Sequence, residues 1–295
     1  MLSTELIKKI RRIEIRTRRL VNDSVAGEYH AVFKGQGMEF DEVRLYQPGD
    51  EIRTIDWNVT ARMGDTYVKR YVEERELTVL FVVDGSASED FGSVERFKRD
   101  LAAELTAVLA FAATNNNDKV GLLIFTTQVE LYIPPRKGRK HVLRIVRELL
   151  AFKPKARGTD IKMALDSVNR LLKRRSIVFL VSDFIAEPEE YAKSLAVANR
   201  RHDLIAIMLY DPLELDMADV GLVALEDTES GEVTWVDTSH KSWREAFGQR
   251  VEELARRTHQ TLRRAKVDRV MVTTAADYMT PLTTFFHQRT RRMKR

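Results

Sequence analysis

The chain contains no cysteine among its 295 residues. This absence excludes disulfides, thiol nucleophiles and zinc sites built on cysteine thiolates. Histidine is scarce, with six residues, and none forms the HExxH pair that binds zinc from one helix. No apolar run is long enough to cross a bilayer, and the charged N-terminus lacks the apolar core of a signal peptide. We therefore expect a cytoplasmic protein with no membrane insertion.

Charge is the next feature, because it is concentrated in two segments. The net charge is +5, and much of the excess lies in residues 7–20 (IKKIRRIEIRTRRL) and 289–295 (RTRRMKR). Apolar residues at helical spacing in the first segment predict an amphipathic helix with a basic face. Such a face could bind nucleic acid, a membrane surface or an acidic partner. We favour a helix packed on its own domain, because no base-stacking aromatic residues lie between the basic ones.

Predicted strands and helices alternate from about residue 77 onward. The predicted strands are 77–83, 119–125, 129–134, 176–184, 203–211 and 268–274, and the predicted helices are 94–114, 138–152, 159–175, 189–200, 243–265 and a final helix. Segment 129–134 ends at two prolines, which is typical of an edge strand. A hairpin is expected near 220–237, with its turn at Ser230-Gly231. The alternation predicts an α/β fold with a doubly wound, mostly parallel sheet.

This pattern predicts two parts of the chain. Residues 76–295 would form the α/β domain, and residues 1–75 a helix and a small strand-rich segment docked on it. The first 75 residues offer too few apolar side chains for a separate core, which is why we expect docking. We also expect Trp57 to be buried.

Polar side chains follow the carboxyl ends of two predicted core strands. Asp84, Ser86 and Ser88 alternate after the first strand, and Asp183 ends the strand FLVSDF. Thr159 precedes a predicted helix. In open α/β sheets, ligands bind beyond these strand ends, and carboxylate and hydroxyl oxygens suit Mg²⁺ or Mn²⁺. Each residue alone has a structural explanation such as helix capping, but the ordered set predicts a metal site.

The same five residues match the metal-ion-dependent adhesion site of von Willebrand factor A domains. The order of strands and helices from about Glu76 also resembles that fold. Residues 35–62 (GQGMEFDEVRLYQPGDEIRTIDWNVTAR) resemble the signature of a bacterial family called "domain of unknown function 58". The resemblance covers nearly the whole chain. It implies a MoxR-type AAA+ ATPase as partner, and it implies no established enzymatic activity.

Two departures from the family pattern are visible in the sequence. After Ser88 many relatives carry methionine, whereas this chain has Glu89 and Asp90. Extra acids would favour cation binding but could repel an acidic ligand. Many relatives also carry N-terminal membrane helices, which we do not find here, so we expect this chain to belong to the soluble branch.

The signature segment is dense in charges of both signs. Pro48 and Gly49 predict a turn. Residues with a structural or partner-contact role in this segment would be Arg44, Tyr46, Gly49, Asp50, Arg53, Asp56 and Trp57. We favour an ion-pair network of its arginines and aspartates that docks the segment on the α/β domain. Neither GQG nor RKGRK meets the requirements of a nucleotide loop, so ATP is expected to bind to the partner.

Three classes of function remain. We favour a metal-dependent interaction module, in which an aspartate or glutamate of a partner protein fills a free position on the metal. A metal-dependent hydrolase or phosphatase is the first alternative. Ser86 stands where aspartyl-phosphate phosphatases require a second carboxylate, and no histidine or lysine is placed as an acid or base. The second alternative, nucleic-acid binding through the basic termini, lacks a recognised module.

Overall fold

The computed structural model describes residues 8, 10–15, 17, 26–33, 39–72, 76–94, 96–226 and 231–293, without the side chains of 39–41 and 70–72. Outside this description lie residues 7, 9, 16 and 18–20 of the basic segment, the first residues of the signature, Ser230 of the predicted turn and the last two basic residues. The chain divides into two compact units. One comprises Met1–Val32 and Thr78–Arg295, and the other comprises Phe33–Leu77.

The described helices and strands follow the alternation predicted from the sequence. The helices are α1 (Ala26–Val32), α2 (Trp57–Met63), α3 (Lys98–Asn115), α4 (Arg139–Ala151), α5 (Ile161–Leu171), α6 (Pro188–Arg201), α7 (Pro212–Leu215), α8 (Lys241–Arg264) and α9 (Met279–Met293). The strands are β1 (Glu39–Leu45), β2 (Tyr67–Val72), β3 (Thr78–Asp84), β4 (Lys119–Phe125), β5 (Val129–Arg136), β6 (Ile177–Ser182), β7 (Asp203–Tyr210), β8 (Leu222–Glu226), β9 (Val233–Asp237) and β10 (Asp268–Thr273).

The larger unit is built on a six-stranded sheet with the order β10-β7-β6-β3-β4-β5. Strand β5 is antiparallel to β4, and the other neighbours are parallel. The prolines Pro134 and Pro135 lie on β5, where an edge position tolerates their missing amide protons. Winding reverses between β3 and β6, so their carboxyl ends form the switch point of the sheet. The predicted doubly wound α/β fold is confirmed.

The sheet is buried on both faces because its central strands are continuously apolar. Leu80 and Val82 of β3 belong to a core cluster with residues of α5 and α6. Phe81 points to the opposite face and stacks on Phe179 of β6, with ring centroids 5.3 Å apart. Helix α3 contacts β3, β4 and β7. The sheet therefore holds the ends of β3 and β6 rigidly side by side.

Helix α3 begins four residues later than the sequence predicted. It starts at Lys98 instead of at residue 94. The amide and hydroxyl of Ser93 donate to the Asp211 carboxylate over 2.9 and 2.5 Å. These bonds hold the chain before α3 away from helical geometry, and this places Lys98 at the first turn of the helix.

The smaller unit is a β-ribbon with one short helix. Strands β1 and β2 pair antiparallel, and Ile55 adds a bridge to Val68. Arg44 donates two hydrogen bonds, of 2.9 and 2.6 Å, to the Asp50 carboxylate. Gly49 has a φ of +110°, as the predicted turn requires. The docking of residues 1–75 stays a prediction.

Two expectations for this unit are wrong. The predicted ion-pair network is two separate pairs, Arg44 with Asp50 and Lys69 with Asp56, and Arg53 pairs with no residue that the structure describes. Asp56 instead caps α2 by accepting from two backbone amides. Trp57 is 66% exposed, because α2 has seven residues and buries none of them.

The described part of the N-terminal region packs within the larger unit. Residues 10–15 are helical, and Ile13 and Thr17, one turn apart, are both buried. Tyr29 of α1 donates to Asp118 over 3.1 Å and contacts the ring of Phe286 of α9. Within the described residues, the chain forms no helix with the length and apolar character that a bilayer span requires.

Candidate metal centre

Asp84 is held at the end of β3 by two hydrogen bonds. Its Oδ1 accepts from the Ser86 amide over 3.0 Å, and its Oδ2 accepts from the Ser182 hydroxyl over 2.8 Å. Ser182 is the last residue of β6, the strand beside β3. Asp84 is only 3% exposed. The carboxylate is therefore fixed in orientation at the switch point of the sheet.

The loop after Asp84 turns where no side chain would fit. The Gly85 amide donates to the Phe125 carbonyl over 2.8 Å. A Cβ at Gly85 would lie 2.5 Å from the Phe152 ring and 2.8 Å from Ile124. Glycine lets the loop pass close to these side chains and brings the next residues over the strand end.

The two serines of the motif lie together on this loop. The hydroxyl oxygens of Ser86 and Ser88 are 3.1 Å apart. Ser86 is buried and Ser88 is half-buried, within or beside the short 3₁₀ helix Ala87–Asp90. Asp84 and Ser86 also line a small cleft that is partly open to solvent. The serines thus present two neighbouring oxygen donors beside the Asp84 carboxylate.

Asp183 reaches the same point from β6. Its Oδ1 accepts from the Ile185 amide over 3.3 Å. The next residue, Phe184, has a φ of +57°, a backbone conformation that residues other than glycine rarely adopt. Phe184 is nevertheless buried, with its ring edge-on to Tyr191. Backbone strain of this kind concentrates at functional sites, and here the packing of Phe184 maintains it.

A third carboxylate, Glu89, completes the cluster. One carboxylate oxygen from each of Asp84, Glu89 and Asp183 lies within 4.8 Å of the others. Glu89 is buried on the 3₁₀ helix, and neither of its carboxylate oxygens has a hydrogen-bond partner among the described residues. A buried carboxylate without a partner costs several kcal/mol in its charged form, so Glu89 is stable there either protonated or beside a compensating cation.

A lysine lies inside the cluster, contrary to the expectation from sequence. Lys98 Nζ is 2.7 Å from Asp183 Oδ2 and 2.6 Å from Glu214 Oε1. Its side chain is 0% exposed. Glu214 belongs to α7, where its other oxygen accepts from the Asp211 amide as part of a capping box. The ammonium group therefore bridges β6 and α7.

Burial and charge together shift the pKa values of these groups. Burial, and then the charge of Asp183, raise the pKa of Asp84 to about 7. Burial and the same neighbour raise the pKa of Glu89 well above its ordinary value. Burial alone would lower the pKa of Lys98, but the surrounding carboxylates outweigh burial and raise it. The carboxylates therefore favour the protonated form of Lys98, which is not a candidate base.

Thr159 lies on a loop next to the two serines. The Ala87 amide donates to the Arg157 carbonyl over 3.1 Å, which ties the two loops together. Thr159 itself is half-buried and precedes Asp160, whose side chain caps α5 through the Met163 amide. Its role as a ligand stays a prediction.

The donor set fits a hard divalent cation. Three carboxylates and two hydroxyls are oxygen ligands of the kind Mg²⁺ and Mn²⁺ take, and the unpartnered oxygens of Glu89 leave an acceptor free. Lys98 offsets one of the negative charges but forms no hydrogen bond to Glu89. The residues present therefore fit a magnesium or manganese ion.

Sequence reasoning missed three members of the site. Lys98 lies three and seven residues before Leu101 and Leu105, both fully buried on α3. A lysine in line with such a stripe is a signal of burial that could have identified it. Ser182 and Glu214 carried no comparable signal, because each depends on tertiary contacts.

Comparison with known proteins gives the family. Residues 42–280 match the family described as "Protein of unknown function DUF58". The chain belongs to this family. The uncharacterized protein Rv1480 of Mycobacterium tuberculosis is 34% identical over 231 residues, which cover 78% of this chain and 73% of that protein. The uncharacterized protein YeaD of Bacillus subtilis is 25% identical over 107 residues, 36% of this chain and 25% of YeaD.

Several solved structures are similar to this member of the DUF58 family. The conserved hypothetical protein BatB from Bacteroides thetaiotaomicron is 14% identical to this chain, with a TM-score of 0.46. The matched region covers 73% of this chain and 99% of the BatB chain. A von Willebrand factor type A protein from Catenulispora acidiphila is 13% identical, covers 77% and 44%, and has a TM-score of 0.40. Similarities of this size say nothing about the ligands or partners of this chain.

Proposed function

We propose that this protein is a divalent-cation-dependent interaction module that binds an acidic side chain of a partner protein. The observation that carries the proposal is the convergence of Asp84, Glu89 and Asp183 beside the hydroxyls of Ser86 and Ser88. Mg²⁺, or alternatively Mn²⁺, suits these hard oxygen donors. A bound cation would supply a positive charge that attracts a carboxylate from outside.

The residues around the cluster would keep its donors in place. Ser182 orients Asp84, and the strained turn at Phe184 orients Asp183. Lys98 adds a fixed positive charge, which lessens the repulsion between the cluster and an acidic ligand. The loop bearing Thr159 lies beside the serines and would contribute a further hydroxyl from the β4 side of the site.

Binding is better supported than catalysis. Among the described residues, no histidine lines the cleft at Asp84, and the lysine in the site is held as a cation. General acid–base catalysis requires a group that gives up and regains a proton near the working pH, within reach of the reacting atoms. Asp84, whose pKa is raised to about 7, would itself be a ligand of the ion, so it would not be free to act as the acid or base. Turnover by the isolated protein is therefore not expected.

The partner we propose is a MoxR-type AAA+ ATPase, with this protein acting as its adaptor or co-chaperone. This part of the proposal is supported by the family resemblance alone. Neither GQG nor RKGRK has the sequence context of a loop that binds nucleotide phosphates. ATP hydrolysis would therefore belong to the ATPase.

Calorimetric titration with the purified ATPase tests the proposal. We expect binding in Mg²⁺, at least tenfold weaker binding in EDTA, and a similar loss in Asp84→Asn, which removes the charge and keeps the volume. Asp219→Asn is the matched control, because it removes one carboxylate charge from an exposed residue that pairs with Arg244 outside the cleft. Equal affinity in Mg²⁺ and EDTA would remove the cation from the function, and phosphatase turnover abolished by Asp84→Asn would assign the protein to an enzyme class.

A further inference from the structure

The buried cluster carries more negative charge than one lysine compensates. The charges of Asp183, Glu89 and Glu214 act on the ammonium of Lys98, and a carboxylate oxygen of Asp84 lies within 4.8 Å of those of Glu89 and Asp183. Glu89 is fully buried, and its oxygens have no hydrogen-bond partner among the described residues. Glu89 can therefore be ionised beside the other acids only when additional positive charge lies close to it.

Lys98 donates to a carboxylate oxygen of Asp183, and this oxygen would have to be released before it could bind a metal ion. Its ammonium lies 2.7 Å from Asp183 Oδ2, closer than any water-mediated contact. It also lies 2.6 Å from Glu214 Oε1, and Glu214 is anchored by its own bond to the Asp211 amide. The lysine thus has a second acceptor that lies outside the three-carboxylate group.

We infer that Lys98 is a resident counter-ion of the site, and that a divalent cation enters by displacing Lys98 from Asp183 while Glu89 joins the ligands. The inference rests on the proposed function, whose cation site it describes. In the absence of the ion, Lys98 neutralises Asp183. When the ion is bound, the ammonium stays with Glu214. From there its positive charge still acts on the nearby carboxylate of Glu89.

Competition with a tethered ammonium has a measurable consequence. The ion must replace an interaction between buried opposite charges, so its affinity is lower than the number of carboxylates alone would give. Removing Lys98 should strengthen cation binding, whereas removing Glu89 should weaken it. Removing Glu214 should also weaken it, although Glu214 is not a ligand, because the displaced ammonium loses its acceptor.

Manganese titration followed by the electron paramagnetic resonance of free Mn²⁺ tests these signs without any partner protein. We expect Lys98→Met to bind Mn²⁺ about 10- to 100-fold more tightly than the wild type, and Glu89→Gln and Glu214→Gln about tenfold more weakly. Asp219→Asn is the matched control, because Asp219 is exposed and pairs with Arg244 outside the cleft, and it should bind as the wild type does. Circular dichroism verifies the fold of each variant, and Glu214→Gln tests the competition if Lys98→Met does not fold.

The outcomes separate this inference from the function it rests on. If Asp84→Asn abolishes binding while the Lys98, Glu89 and Glu214 variants match the wild type, the cation site stands and the role of Lys98 is refuted. If the wild type binds no Mn²⁺ at millimolar concentration and Lys98→Met does, the counter-ion role is supported. If no variant binds Mn²⁺, the cation site itself is refuted.

Discussion

The hydroxyl of Ser182 donates a hydrogen bond to Oδ2 of Asp84 over 2.8 Å. This bond joins the last residues of β6 and β3, the two strands between which the winding of the sheet reverses. The Ser182 hydroxyl also accepts from the Phe184 amide over 3.1 Å. One buried hydroxyl therefore sets both the orientation of the first carboxylate and the turn that presents Asp183.

Ser182→Ala should destabilise the fold, because it leaves a buried carboxylate oxygen and a buried amide each without a partner. We expect a loss of about 1–3 kcal/mol in the free energy of unfolding, measured by urea denaturation. Ser88→Ala is the control, since Ser88 is half-buried and its hydroxyl contacts the Ser86 hydroxyl on the same loop. A loss no larger than that of the control would contradict the role given to Ser182.

The sequence predicted most of the sheet because its central strands are buried on both faces. The apolar runs before Asp84 and Asp183 predicted two core strands. Because ligands bind at the carboxyl ends of such strands where the winding reverses, the sequence also predicted that the two carboxylates lie together. The helical spacing of Lys98 to Leu101 and Leu105 indicates burial, but its acceptors Asp183 and Glu214 lie 85 and 116 residues away in sequence. Long-range polar contacts of this kind leave no periodic pattern in a sequence.

The smaller unit shows the opposite case. Its charges suggested a network, but a local turn pairs Arg44 with Asp50, and Asp56 pairs with Lys69 of β2. Arg44 reaches Asp50 across the turn at Gly49, whereas Arg53 points to solvent. Trp57 was expected to be buried because it is large and apolar, yet a helix of seven residues has no face wide enough to bury it.

Asp211→Asn should destabilise the protein by about 2–3 kcal/mol, measured by urea denaturation at neutral pH. The carboxylate accepts from Ser93, Leu213 and Thr274, and an amide nitrogen would face some of these donors. Burial would raise the pKa of Asp211, but these hydrogen bonds outweigh burial and hold its pKa below the ordinary value.

The pH dependence of this loss has a definite sign. A carboxyl with a lowered pKa in the folded state stabilises the protein above its unfolded pKa, and this stabilisation disappears as the pH falls through the folded pKa. The difference between wild type and Asp211→Asn should therefore be constant near neutrality and shrink below about pH 4. Asp237→Asn is the control, because the pKa of Asp237 is also lowered but its side chain is 42% exposed, where it accepts from Ser239 and pairs with His240. A loss that grows on acidification would contradict the assignment.

Gly85→Ala should destabilise the fold by about 1–3 kcal/mol, because the new methyl group meets Phe152 and Ile124 at less than contact distance. The double variant Gly85→Ala/Phe152→Leu should regain part of the loss, since leucine withdraws the ring atoms that clash. Gly248→Ala is the matched control. Gly248 lies inside α8 with nothing within 4 Å of an added Cβ, so alanine there should stabilise the protein by up to about 1 kcal/mol. Equal effects of the two single changes, measured by thermal unfolding, would rule out the steric argument.

The last prediction distinguishes a structural role of the signature segment from a partner contact. Trp57 is exposed at the start of α2, so Trp57→Ala should change the free energy of unfolding by less than about 0.5 kcal/mol. Asp56→Ala, one residue away, should cost more, because Asp56 accepts from the Asn58 and Val59 amides and pairs with Lys69. Circular dichroism during urea denaturation gives both values. If Trp57→Ala is as stable as the wild type yet binds the AAA+ ATPase at least tenfold more weakly, the exposed indole is a partner contact. Unchanged affinity would show that it is not, since large exposed aromatic side chains at interfaces commonly carry much of the binding energy.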